Sequence, residues 1–207
     1  YAKKNHLQHK TQPRMAVTML NYLESRLKKA GLEFNLVITA DSAFDCKDLW
    51  KVCRRHNQHS QYRWTIITAT DPARCLGSNG SKATRLAGQK VLDALHQEPL
   101  VRKQKIDFFE QTGIALRSRQ KLSDQQTGTT SSSTVYSYAQ KQLRVADIGD
   151  SNVVLSYKLL DPSQDESEFH FRLLLCSDLQ MPATQIIAYY AMRWEVETFF
   201  REQKSNF

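Results

Sequence analysis

The sequence predicts an α/β fold, on three observations. A helical pattern leads into a short apolar, β-branched run near the N-terminus, and a second helix and strand follow after short connections. The middle of the chain is strand-rich. Near the C-terminus one further apolar run leads into a long helical pattern.

The first helix is expected over residues 12–30, where Ala16, Met19, Leu20, Leu23 and Leu27 recur at helical spacing, with Pro13 in the opening turn and Gly31 as a stop. Residues 34–40 form an almost continuous apolar run, expected as a strand buried on both faces, with Asp41 at its C-terminal end. A second helix is expected over 45–56, capped by Asp45 and carrying Leu49, Trp50, Val52 and Cys53 on one face. The run 62–68 completes helix, strand, helix, strand, the alternation of a two-layer or three-layer α/β core.

A basic helical stretch over 82–96 opens the middle, and strand-like pieces follow at 105–109, 114–119, 134–138, 142–148 and 153–160. The Gly, Ser and Thr of 127–134 belong to a loop. Together these predict an antiparallel β-rich insertion. A core strand returns at 169–176, and Pro182 and Ala183 open a helix running toward Lys204. The expected division is 1–75 for the first part of the core, 76–165 for the insertion and 166–207 for the return strand and last helix. No internal repeat is present.

Across 207 residues, 29 Lys and Arg against 21 Asp and Glu leave a net charge of +8, which favours a polyanionic partner such as nucleic acid. No apolar stretch is long enough for a membrane span, and the N-terminus lacks the apolar centre of a secretory signal. The expectation is a soluble, cytoplasmic protein with four reduced cysteines and no membrane partner.

On the last helix, Tyr190, Arg193, Glu197 and Lys204 share an arc of roughly 60°, at about 100° per residue. Met192, Val196 and Phe199 lie opposite, as the expected packing side. A carboxylate binds Mg²⁺ or Mn²⁺, Arg and Lys neutralise phosphate oxygens, and Tyr adds a hydrogen bond to the backbone. Asp41, ending a core strand, is the best partner for Glu197. Without a motif, this face would read as solvated, with an Arg–Glu pair one turn apart.

The spacing of Tyr190, Arg193, Glu197 and Lys204 resembles the Y-x2-R-x3-E-x6-K signature of the IS-four family of bacterial DDE transposases. The run 37–45, ending a strand in Asp41 and followed by Ser42, Ala43 and Phe44, resembles that family's second catalytic aspartate. The resemblance implies a ribonuclease H-like core with a β-rich insertion, in which Asp41 and Glu197 bind catalytic Mg²⁺ or Mn²⁺ and Tyr190, Arg193 and Lys204 contact DNA. It further implies cleavage and strand transfer at transposon ends, with double-stranded DNA ends and target as partners, a homodimer on DNA, and nucleoid association.

The family's first aspartate lies on a strand before the helix that precedes Asp41, yet residues 1–40 contain no Asp. Glu24 is mid-helix and Glu33 precedes the strand, so neither fits. The expectation is a chain that starts after the first strand, lacks a complete metal site and is inactive alone. Its rival is a catalytically silent, basic DNA-binding remnant. Cys46, Cys53, His56 and His59 admit a zinc reading, but no paired Cys-x2-Cys accompanies them, and Cys46 and Cys53 fit a buried face. The basic pairs Lys3-Lys4, Lys28-Lys29, Arg54-Arg55 and Arg102-Lys103 are candidates for phosphate contacts without individual assignment.

Overall fold

A computed structural model describes residues 11–77, 90–114, 133–159 and 171–193. Helix α1 (Gln12–Lys29) carries Pro in its first turn and Arg26, Lys28 and Lys29 in its last, where cations offset the helix dipole. Gly31 follows at a φ of +66°, the left-handed conformation that stops the helix at little steric cost. Strand β1 (Leu36–Ala40), a single 3-10 turn (Ser42–Phe44), α2 (Lys47–His59) and β2 (Trp64–Ala69) come next.

The middle contributes α3 (Val91–His96), β3 (Val101–Asp107), α4 (Phe108–Thr112), β4 (Ser133–Val145) and β5 (Gly149–Leu159). Strand β6 (Phe171–Cys176) leads into α5, which is described over residues 183–193. The six strands form one sheet in the order β1-β2-β6-β5-β4-β3; β1 and β2 are parallel and every other pairing is antiparallel.

Side-chain alternation divides the sheet into two packed faces. Trp64, Ile66, Leu173 and Leu175 point toward α1, α2 and α3, where they meet Leu49, Trp50, Val52, Cys53 and Leu95. Ile67, Ala69, Leu174 and Cys176 point the other way, onto Ala183, Ile186, Ile187 and Tyr190 of α5. Helices therefore cover both faces, the three-layer alternative. Burying a side chain such as Leu49 or Ile186 contributes about 1.5–3 kcal/mol each.

Several elements differ from the sequence expectation. Among the described residues β1 is an edge strand and half-buried throughout, while β2, with β1 on one side and β6 on the other, is buried at every position. The pieces expected at 134–138 and 142–148 are one 13-residue strand, β4, whose central Gln140, Lys141 and Gln142 hid its continuity. The strand expected at 105–109 ends at Asp107, whose carboxylate accepts the Glu110 N–H at 3.1 Å and starts α4 instead. Asp45 does not cap α2, whose N-cap position is Cys46. The expected elements within 82–89, 115–119 and 127–132 lie outside the described residues. No helix among the described residues is long and apolar enough to cross a membrane.

Candidate functional site

Asp41 sits one residue beyond β1, at the C-terminal edge of the sheet. Continuing the strand's alternation puts it with Val37 and Thr39 on the face that α5 covers. Its Oδ1 accepts the Ser42 N–H at 2.7 Å, which fixes the carboxylate at the start of the 3-10 turn. The side chain remains 48% exposed.

Across that edge, Arg193 of α5 brings Nη1 to 3.9 Å from Asp41 Oδ2, with its own side chain only 14% exposed. The guanidinium lies over the Tyr190 ring at 5.2 Å from the ring centre, a cation–π contact that holds its direction. A cavity of about 390 Å³ opens beside the pair, lined by Asp41, Arg193, Ile38, Phe44 and Leu49 with Met19 of α1.

Tyr190 departs from its expected placement. It is 4% exposed and belongs to the core with Ile186 and Ile187, so α5 packs through this arc. Its hydroxyl is buried and makes no hydrogen bond of good geometry among the described residues. Burial pushes its pKa up, the Arg193 guanidinium draws it back, and the Asp41 carboxylate raises it again. The structure thus brings Asp41, Tyr190 and Arg193 together, while Glu197 and Lys204 lie outside the described residues.

Four residues beyond Asp41 in the chain is a second carboxylate, with a role that sequence reasoning missed. Asp45 accepts a hydrogen bond from the Thr70 hydroxyl just beyond β2 and lies 3.6 Å from Arg74 Nη2, with only 6% of its side chain exposed. Burial raises its pKa, against the lowering pull of Thr70 and Arg74. These contacts join the turn after Asp41 to the segment after β2. Partners that distant in sequence leave no local signal.

Asp41 suits a divalent cation as one ligand, being a half-exposed carboxylate with one oxygen beyond the Ser42 bond. No group of three or more His, Cys, Asp or Glu residues that could hold a metal occurs among the described residues. The Cys53 thiol is pushed up to about 12 by burial, which disfavours the thiolate that zinc needs. His56 is engaged otherwise: its Nδ1 lies 3.0 Å from Glu24 Oε1 and its ring stacks on Trp64 at 4.1 Å.

The fold and site define a mixed α/β domain that sets a half-exposed carboxylate against a guanidinium at the C-terminal edge of its sheet. The family model described as the transposase DDE domain matches residues 14–207, and the chain belongs to that family. It is a domain of the transposase kind. No curated protein matches the chain.

Proposed function

We propose that this chain belongs to the catalytic core that performs metal-dependent DNA strand cleavage and strand transfer at transposon ends, a ribonuclease H-like core of the IS-four type. The observation that carries the reading is the approach of Arg193 to within 3.9 Å of Asp41, which joins the two motifs at one edge of the sheet. In this reading Asp41 and Glu197 bind Mg²⁺ or Mn²⁺, and Arg193 and Lys204 bind DNA phosphates. Tyr190 acts from below, as the ring that holds Arg193 in place. Residues 1–75 and 166–207 build the core and 76–165 the insertion, with the active assembly a homodimer on paired double-stranded DNA ends.

A divalent cation held at Asp41 would supply Lewis acidity at a phosphodiester. The protein's own part is positional. Ser42 fixes the Asp41 carboxylate, Arg193 offers a forked donor to a nonbridging oxygen, and the apolar wall of Ile38, Phe44 and Leu49 limits water beside them.

The net charge of +8 favours a second reading, a basic DNA-binding remnant without chemistry. Calorimetric titration of Mn²⁺ into the chain, Asp41→Asn and Glu197→Gln separates the two. The first reading expects binding that both substitutions weaken at least tenfold while the fold is kept. DNA binding with no Mn²⁺ uptake would establish the remnant.

A further inference from the structure

Helices α1 and α2 lie side by side on one face of the sheet and run in the same direction. Asn21 and Glu24 of α1 contact Arg55 of α2, and Glu24 also reaches His56. Farther toward their N-termini the two helices part around a cavity of about 1010 Å³. Its walls carry four cations, Arg14, Lys51, Arg54 and Arg55, with hydrogen-bonding side chains from Thr18 and Gln58.

The charges are unequal in availability. Arg55 is engaged with Glu24 at 3.0 Å, and Lys51 lies 3.7 Å from Asp48, the one acid on the cavity wall. No carboxylate lies within ion-pair distance of Arg14 or Arg54 among the described residues; Arg54 rests over the Trp50 ring at 6.0 Å. Both helix starts open into the same cavity, at Thr11 and Cys46, and neither of these N-cap residues makes a side-chain hydrogen bond to its helix. Backbone N–H groups left over at two helix N-termini, beside guanidiniums that have no carboxylate partner among the described residues, are an arrangement that attracts phosphate.

We propose that the groove between α1 and α2 is a second tract for the DNA sugar-phosphate backbone, distinct from the Asp41 edge. This rests on the reading that DNA is the partner. Three features favour a DNA strand as occupant. The groove starts where α1 touches the turn after Asp41, at the same edge of the sheet. It follows α1 from Arg14 to Asn21, a run of roughly 10 Å at 1.5 Å per residue. Residues 1–10, which precede α1 in the sequence, hold Lys3, Lys4 and Lys10 and no acid, so their composition does not complement a basic wall.

The test is fluorescence anisotropy of a labelled 30-base-pair duplex across a salt series, with the whole chain. Arg14→Gln/Arg54→Gln is compared with Lys105→Gln/Lys158→Gln, which removes the same charge from exposed positions on β3 and β5. Circular dichroism and Tm check that each variant folds, and Arg14→Lys/Arg54→Lys tests rescue by charge alone. The groove pair is expected to weaken binding at least tenfold near 0.1 M salt and to reduce the slope of log K against log salt by about 2, at about 0.9 per phosphate contact. The lysine pair should restore most of that slope, and the β3–β5 pair should change it little. Equal losses in both glutamine pairs would overturn this tract alone, whereas a wild-type chain that does not bind DNA overturns it together with the reading on which it rests.

Discussion

Gln140 of β4 caps a helix to which it is not adjacent in sequence: its Oε1 accepts the Ala183 N–H at 3.1 Å, while its Nε2 donates to the Met181 carbonyl at 3.0 Å. Asn152, fully buried on β5, completes the clamp by accepting from Gln140 at 2.8 Å and donating to Met181 O at 2.7 Å. Two side-chain amides of the long hairpin thereby set where α5 begins, and hence where Arg193 ends up. Asn152→Ala removes one of the two donors to the Met181 carbonyl and an acceptor of the Gln140 amide, and is expected to cost about 1–3 kcal/mol in urea denaturation. Gln140→Ala, at a more exposed position, should cost about 1 kcal/mol as a lost cap. Because the two share partners, the double variant should lose less than the sum of the singles. Strict additivity would mean that the amides act separately.

How much of this was legible in sequence depended on how local the cause was. The helix α1, the strands β1, β2 and β6, and Asp41 at a strand end all follow from apolar period and short-range stop signals. The packing face of α5 did not, since its sequence offers two apolar arcs and only the sheet decides between them. The arc of Ile186, Ile187 and Tyr190 meets Ile67, Leu174 and Cys176, so Tyr190 turns inward while Arg193 reaches the edge. Likewise the clamp of Gln140 and Asn152 reads from sequence as ordinary polar positions in a strand. Their partners lie on another element, and nothing within a few residues announces them.

Glu24 links α1 to α2 through His56 and Arg55, both at 3.0 Å. Burial would raise its pKa, but the His56 hydrogen bond and the charges of Lys28 and Arg55 outweigh that and hold it below its ordinary value of 4.5. The unfolded chain therefore takes up this proton first, and the stabilisation present above pH 4.5 is lost as pH falls through the lower folded value. Glu24→Gln should be less stable than wild type by about 1–3 kcal/mol at pH 7. The gap should close on acidification below 4.5. A gap independent of pH between 7 and 3 would show that the charge of Glu24 contributes nothing.

Asp45 should behave with the opposite sign. Burial holds its pKa above the ordinary 3.8 despite Thr70 and Arg74, so the folded state keeps the proton more readily than the unfolded one. Its ionised form weighs against folding at neutral pH, and that burden lifts as pH falls through the folded value toward 3.8. Asp45→Asn keeps an oxygen to accept from Thr70 and removes the titration. Thermal unfolding of both proteins from pH 7 to pH 4 is expected to show wild type gaining on the variant with acid. Wild type losing ground over that range would contradict the assignment.

Tyr190 and Arg193 can be separated by what each loses. The Tyr190 hydroxyl is buried without a hydrogen bond of good geometry among the described residues, and the ring is what Arg193 rests upon. Tyr190→Phe keeps the ring and removes a buried polar atom, so stability should stay within about 1 kcal/mol of wild type, and DNA affinity should be unchanged. Tyr190→Ala removes core volume as well as the platform and should cost about 3–5 kcal/mol, in line with other large aromatic truncations. Arg193→Gln leaves the core intact but removes the cation beside Asp41, and should lower the salt slope of DNA binding by about one phosphate contact. Arg193→Lys should restore that slope without restoring the full affinity, since an ammonium lacks the fork that grips two oxygens at once. If Tyr190→Phe instead weakened DNA binding as much as Arg193→Gln, the hydroxyl would have to reach the DNA, and α5 would have to turn to expose it.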